Sequence, residues 1–186
     1  MSGIAKGLEI VGDRRIIDRV AAELRAAHAE LVLAANDPAA AQWLPGVAVV
    51  SDRHRAAGGI AGVESALSLG RDAIVVAWDM PFVTASLLEL LIAEARSHDA
   101  LVAIPESESP YGIEPFCGFY SAAVLPLLSS FLDGGGGAAR SFLERVPRVH
   151  RIPLASVARL GDPGRLLFSV NTPDDLARAR EMAGAA

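Results

Sequence analysis

An uninterrupted apolar run, Ala73 to Trp78, ends abruptly in the carboxylate of Asp79. A short, β-branched run of this kind predicts a strand buried on both faces of a parallel sheet. Asp79 then emerges at the carboxyl end of that strand, the edge along which open α/β sheets bind ligands. Pro81 stops the strand, and Thr84 can cap the helix that follows. An acid on the rim of a buried sheet can hold a metal ion and phosphates. The competing role for Asp79 is a helix N-terminal acid that complements the dipole.

The rest of the chain alternates in the same way. Helical spacing is expected over Arg14–His28, Ala61–Leu69, Thr84–Arg96, Ala122–Leu132 and Ala138–Val146. Strands are expected over Glu30–Ala35, Val47–Val50, Ala100–Ile104, Val149–Ile152 and Leu166–Val170, with Pro115–Tyr120 extended. Glu106–Gly112 is polar and reads as a loop. Thr172-Pro173-Asp174-Asp175 is a capping box with proline at the first helical position, opening a helix to about Met182. The pattern predicts an α/β fold, a three-layer α/β/α sandwich with a mainly parallel sheet. With 186 residues, no internal repeat and no linker, the chain suits one domain over residues 1–186. The glycine patch Gly134–Gly137 follows a helix rather than a strand, so it reads as a turn and not a phosphate loop.

Composition narrows the function. The chain is 52% hydrophobic with a mean hydropathy of +0.35, yet no apolar run approaches the ~20 residues of a membrane span. The amino terminus lacks a signal-peptide layout, which makes the cytoplasm the expected location. A net charge of −5 argues against a nucleic-acid surface. A nucleotide remains open, because it needs only a few local cations and a metal. The single Cys117 excludes an internal disulfide and a cysteine-based zinc site, and it reads as a small core residue. The four histidines are scattered and show no metal-ligand spacing.

Several polar residues stand where strands are expected to end. Asn36 follows Ala34-Ala35, Asp52 follows the strand ending at Val50, and Asn171 follows Val170. Each has an ordinary loop or capping role. Together with Asp79 they would line one edge of a sheet. Asn171 is a candidate second oxygen ligand beside Asp79 for Mg²⁺, which takes one or two protein oxygens and the rest from water and phosphate. Gly58-Gly59-Ile60-Ala61-Gly62 opens a helix where backbone can approach an anion closely. Lys6, the only lysine, lies in the glycine-bearing segment Gly3–Gly7 and is a candidate phosphate contact.

The order of these pieces resembles the molybdenum cofactor guanylyltransferase family, nucleotidyltransferases that make dinucleotide forms of that cofactor. The likeness runs from about Gly3 to Ala183. Trp78-Asp79-Met80-Pro81-Phe82 resembles the family's Cys-Asp-Met-Pro-Phe. Asp52 followed by Gly58-Gly59-Ile60-Ala61-Gly62 resembles its aspartate and Gly-Pro-Leu-Ala-Gly. Pro115–Tyr120 resembles its Pro-Leu-Cys-Gly-Leu-Tyr, and Val170–Leu176 its Val-Asn-Thr-Pro-Glu-Asp-Leu. Lys6 with Gly7-Leu8-Glu9 is similar to the segment just after the family's glycine-rich loop.

The resemblance implies a nucleotidyltransferase (Rossmann-like) fold and transfer of GMP from GTP to the phosphate of molybdopterin, with pyrophosphate leaving. It implies that Asp79 holds Mg²⁺ and touches the triphosphate, with Asn171 near the same metal. Lys6 would neutralise phosphate charge as a catalytic partner of Asp79. Asn36 and Asp52 would help hold the guanosine, and Gly58 and Gly59 would lie against the nucleotide. Molybdoenzyme clients follow from the same likeness. The family's opening strand, Leu-Ile-Leu-Ala-Gly-Gly, and its Ser- and Arg-bearing loop have no counterpart here, so an N-terminally shortened chain is expected. Two other readings stay open: a transferase using CTP or a sugar-phosphate acceptor, and an inactive nucleotidyltransferase-like binding protein.

Overall fold

Apolar residues two apart in the strands and three or four apart in the helices divide this chain between two cores on opposite faces of a sheet. The structure is a computed structural model that describes residues 6–184. The Gly3–Ala5 part of the lysine segment lies outside the described residues. A short 3-10 turn, Lys6–Leu8, leads into a hairpin of β1 (Ile10–Val11) and β2 (Arg14–Arg15). Then come α1 (Ile16–Ala26), β3 (Val32–Ala34), β4 (Ala48–Val50), α2 (Gly59–Leu67), β5 (Ala73–Val76) and α3 (Ala85–Ser97). The second half holds β6 (Val102–Pro105), β7 (Cys117–Tyr120), α4 (Leu125–Asp133), α5 (Ala139–Leu143), β8 (Val149–Ile152), α6 (Leu154–Ala158), α7 (Pro163–Leu166) and α8 (Pro173–Gly184). Among the described residues no helix is long and apolar enough to cross a membrane.

The main sheet has the order β5-β7-β6-β8. β6 and β8 are parallel, whereas β7 runs antiparallel to both β5 and β6. Hence β5, β6 and β8 point one way and β7 alone is reversed. The reason lies in the connection. Parallel neighbours need a crossover, usually helical, and the β6–β7 link over residues 106–116 contains no helix. That loop folds back on itself through a Glu106–Ile113 bridge and returns the chain antiparallel.

Strand side chains alternate between the two cores. Ile74, Val76 and Ala103 face Leu87, Leu88 and Leu91 of α3, with Met80, Ile152 and Val170 beside them. Ala73, Val75, Val102 and Ile104 face Ile60, Val63 and Leu67 of α2, with Leu128 and Phe142. A side chain such as Leu88 or Phe142, 0% exposed, contributes about 1.5–3 kcal/mol by burial. Helices on both faces of one sheet make the three layers that the alternating pattern predicts.

Two expectations need correction. β5 is not sealed on both faces: all four of its residues are only half-buried. Its edge away from β7 pairs with no strand among the described residues, and β3 and β4 form a separate parallel pair. Helix α2 packs against both β3 and β5, so it spans the interval. Leu166–Val170 is not a strand. Asp162 and Pro163 start the short helix α7, with Asp162 accepting a hydrogen bond from the Gly164 N–H at 3.0 Å. The amide of Val170 then donates to the backbone oxygen of Asp79 at 2.9 Å instead of joining a ladder.

Candidate functional site

The Lys6-Gly7 pair sets one corner of the rim. A Cβ at Gly7 would lie 2.9 Å from the Trp78 backbone oxygen and as close to its indole, so only glycine lets this segment pass the end of β5. Lys6 is thereby carried over the strand end, where its Nζ donates to Asn171 Oδ1 at 2.9 Å. Asn171 Nδ2 donates to Ser169 Oγ at 3.2 Å, and Ser169 Oγ donates to Asp79 Oδ1 at 3.0 Å. Lys6, Asn171 and Asp79 thus meet in one hydrogen-bonded chain, joined by Ser169, which the sequence reading passed over.

Asp79 does not serve as a helix-dipole acid. The N-terminus of α3 has its own partners: Thr84 Oγ1 accepts from Leu87 N, and Glu23 of α1 accepts from Ala85 N at 2.7 Å. Burial instead pushes the Asp79 carboxyl above its ordinary value near 3.8, against the Ser169 hydrogen bond and the Lys6 charge. Glu114, in the loop before β7, is also pushed up, first by burial and further by the negative charge of Asp79. Two acids at one strand end, one lysine beside them, and burial opposing their ionisation describe a place that favours a cation.

Asn171 follows an irregular segment rather than a strand. It is held by the capping box, in which Asp175 Oδ2 accepts from the backbone amides of Asn171 and Thr172 at 3.0 and 2.8 Å. Asp175 N returns the bond to Thr172 Oγ1 at 3.1 Å.

Asn36 and Asp52 form a second pair at the ends of β3 and β4. Asn36 Nδ2 donates to Asp52 Oδ2 at 2.7 Å, and the Asp52 amide donates to Asn36 Oδ1 at 2.9 Å. Ser65 of α2 donates to Asp52 Oδ1 at 2.9 Å. The two pairs share a rim through Trp78, which directly precedes Asp79. Its ring stacks on Trp43 with centroids 4.8 Å apart, and Leu33, Ala35 and Val49 from the β3–β4 side pack against the same small core as Trp78. Gly58 begins α2 with φ +66°, no side-chain cap and open space around it. A Cβ at Gly59 would meet the Phe116 ring at 2.8 Å, and Phe116 O accepts from Ala77 N at 2.7 Å, which ties the start of α2 to the end of β5.

The rim continues into an ionisable network. His54 lies between the buried Glu64, with Nδ1 2.7 Å from Oε2, and Asp133, with Nε2 3.0 Å from Oδ1. Ser129 donates to the other Glu64 oxygen at 2.7 Å. The glycine patch turns the chain here and, with His54 and Ala57, lines a shallow cavity of about 290 Å³. The hydrogen bonds to Glu64 and then Asp133 raise the His54 pKa above its ordinary 6.5. The stability from this raised value is fully present below the unfolded pKa and is lost as pH rises through the folded one. Thermal melts from about pH 6 to 9 should therefore show the native protein losing more melting temperature than His54→Gln. Parallel curves would refute it.

Cys117 is fully buried, and burial pushes its thiol far up, so it is an inert core residue. The histidines show no metal-ligand spacing along the sequence, but the fold brings two of them together. Glu94, His98 and His150 bring ligand atoms within 4.8 Å of one another. The i,i+4 spacing of Glu94 and His98 was the available signal; His150 is distant in sequence and only the fold brings it in.

With this geometry in view, the likeness to known proteins is informative. The family of the MobA-like NTP transferase domain matches residues 1–151. A probable molybdenum cofactor guanylyltransferase of Pelotomaculum thermopropionicum is 30% identical over 183 residues, covering 97% of this chain and 86% of that protein. Another, from Carboxydothermus hydrogenoformans, is 28% identical over 93% of this chain and 85% of its own length. The crystal structure of molybdopterin-guanine dinucleotide biosynthesis protein A from Archaeoglobus fulgidus superposes with a TM-score of 0.83 at 26% identity, covering 99% of this chain and 93% of that one. A Thermus thermophilus 2-C-methyl-D-erythritol 4-phosphate cytidylyltransferase, 19% identical with a TM-score of 0.66 over 96% and 93% of the two chains, shares the fold.

Proposed function

The chain belongs to the MobA-like NTP transferase domain family, and from that premise we propose that it transfers GMP from GTP to the phosphate of molybdopterin, releasing pyrophosphate. The observation that carries the reading is the hydrogen-bonded run Lys6–Asn171–Ser169–Asp79 beside the Asn36–Asp52 pair on one rim. The acceptor phosphate is already anionic, so no general base is required. One phosphate oxygen attacks the α-phosphorus in line, a P–O bond forms, and the bond to pyrophosphate breaks with its electrons.

The residues present suit magnesium. Asp79 and Asn171 supply hard oxygen donors, and burial already opposes the unpaired Asp79 charge. When bound there, Mg²⁺ would neutralise charge on the triphosphate and the departing pyrophosphate. Lys6, the only lysine of the chain, brings its ammonium group to the same phosphates and holds Asn171 until they arrive. The Asn36–Asp52 pair offers a carboxylate and an amide to a base or ribose. The start of α2 at Gly58 and Gly59 has no side-chain cap and would suit a phosphate of the nucleotide. Positioning and charge neutralisation supply the catalysis, and a site without a catalytic histidine meets that need.

The test combines the purified chain with Mg²⁺, molybdopterin and each of GTP, CTP, ATP and UTP in competition. Pyrophosphate release and the mass of the dinucleotide product are read. GTP should be consumed at least ~10-fold faster than CTP. Equal use of CTP, or pyrophosphate without a dinucleotide, would overturn the reading. Both tryptophans of the chain, Trp43 and Trp78, sit at the rim, so their emission should also change on addition of GTP and Mg²⁺.

A further inference from the structure

A second cluster of coordinating side chains lies at the far end of the sheet. Glu94 and His98 stand one turn apart near the C-terminus of α3, and His150 is the second residue of β8, which packs against that helix. Glu94 Oε2 is 2.8 Å from His150 Nε2 and 3.5 Å from His98 Nδ1. The two imidazole rings stack with centroids 3.7 Å apart and planes 11° from parallel. Glu94 and His150 are largely covered, with side chains 25% and 18% exposed, whereas His98 is half-exposed.

The cluster is separate from the nucleotide rim. Sheet register places His150 level with Ala103, Ala103 with Phe119, and Phe119 with Ile74. Ile74 precedes Asp79 by five residues, a strand end followed by a turn, which places them at most roughly 16 Å apart along the chain. Along the helix, Glu94 lies roughly 15 Å from Thr84, the residue nearest the rim.

We propose that Glu94, His98 and His150 form a transition-metal site that takes zinc, bound by two imidazole nitrogens and one carboxylate oxygen. The donor set is the argument. Two imidazoles face a single carboxylate, so the trio offers two nitrogen donors and one carboxylate oxygen. Zinc favours that combination over magnesium or calcium, which seek oxygen. Tetrahedral zinc with bonds of about 2.0–2.1 Å needs ligand atoms roughly 3.3 Å apart. The observed atoms lie within 4.8 Å of one another, and to ligate, His98 Nδ1 exchanges its 3.0 Å contact with the Glu94 backbone oxygen for the metal as its half-exposed ring turns off the His150 stack. The nearby cation Arg148 is engaged elsewhere, donating to the Asp99 backbone oxygen at 2.8 Å. The fourth position opens to solvent on the His98 side and takes water. Bound zinc would pin the end of α3 to β8 and so brace the layer that carries Thr84 and the loop behind Asp79.

The test uses the full chain without a histidine tag, stripped with chelator and titrated with Zn²⁺ alone and Co²⁺ alone. One equivalent of zinc should bind, the melting temperature should rise, and bound cobalt should show the intense ligand-field absorption of a four-coordinate site. His98→Ala, at a half-exposed position, and Glu94→Gln should each weaken zinc binding by roughly tenfold or more. Asp79→Asn should bind zinc as the native chain does, so failure here is separable from failure of the nucleotide site. The proposal falls if zinc binding is undiminished in His98→Ala and Glu94→Gln, if it is lost in Asp79→Asn, or if cobalt shows only the weak absorption of six-coordinate oxygen ligation.

Discussion

Asp79→Asn is expected to lower guanylyl transfer by ~10³-fold and to make the nucleotide-free protein more stable. Both results come from one fact. The carboxylate sits at a strand end where burial outweighs the help of Ser169 and Lys6, so its folded pKa is raised above the ordinary value near 3.8. Between that value and the raised one, the folded state holds the proton more tightly than the unfolded state. Stability contributed by this group therefore falls as pH rises through the window, and above it the whole penalty of a buried anion is present. Asparagine keeps the shape and an acceptor for Ser169 but carries no charge to desolvate. Metal-free melts from about pH 4 to 8 should show the variant gaining on the native chain as pH rises. Assays with Mg²⁺ and GTP should show it nearly inactive, because the group that is costly without a cation is the one proposed to hold it. A variant that melts below the native protein across that range would contradict the burial argument. Retained activity would contradict the assignment of the metal.

The pieces legible in the sequence were those fixed by local chemistry. The apolar run before Asp79, the Thr84 cap and the Thr172–Asp175 capping box each depend on residues within a few positions, and each forms as its local pattern requires. The three layers follow from alternation, which needs no knowledge of partners. What escaped the sequence was long-range. β7 reads as extended, but its reversed direction comes from the helix-free return loop behind it. The half-exposure of β5 depends on what lies at its edge, not on its own residues. Leu166–Val170 has a strand-like composition, yet Asp162 and Pro163 start a helix just before it. Ser169 becomes visible only when Val170 is tied to Asp79. His150 lies 52 positions from His98, counting from 98 to 150, and joins it only because β8 pairs with β6 under α3.

Gly118→Val is expected to be the most destabilising single change near the rim, by about 3 kcal/mol. Gly118 lies in the middle of β7, between β5 and β6, and pairs with Val75. A Cβ there would stand 2.7 Å from Ile104 Cγ2 and 3.0 Å from the Ala103 backbone oxygen. Ile104 is 0% exposed and Ala103 is held by β8 as well as β7, so neither neighbour has room to retreat. The strand itself must move. For a chain of this length, 3 kcal/mol corresponds to a drop in melting temperature of roughly 6–12 °C. The displacement also reaches function, because Phe116 directly precedes this strand; its oxygen accepts from Ala77 and its ring lies against Gly59. Below the lowered melting point, KM for GTP should rise more than kcat falls, since Gly59 and Glu114 shift while Lys6, Asn171 and Ser169 are held from the other side of Asp79. A valine variant that melts within about a degree of the native protein would show that β7 yields freely. The rim would then owe its geometry to the segments around Asp79 alone.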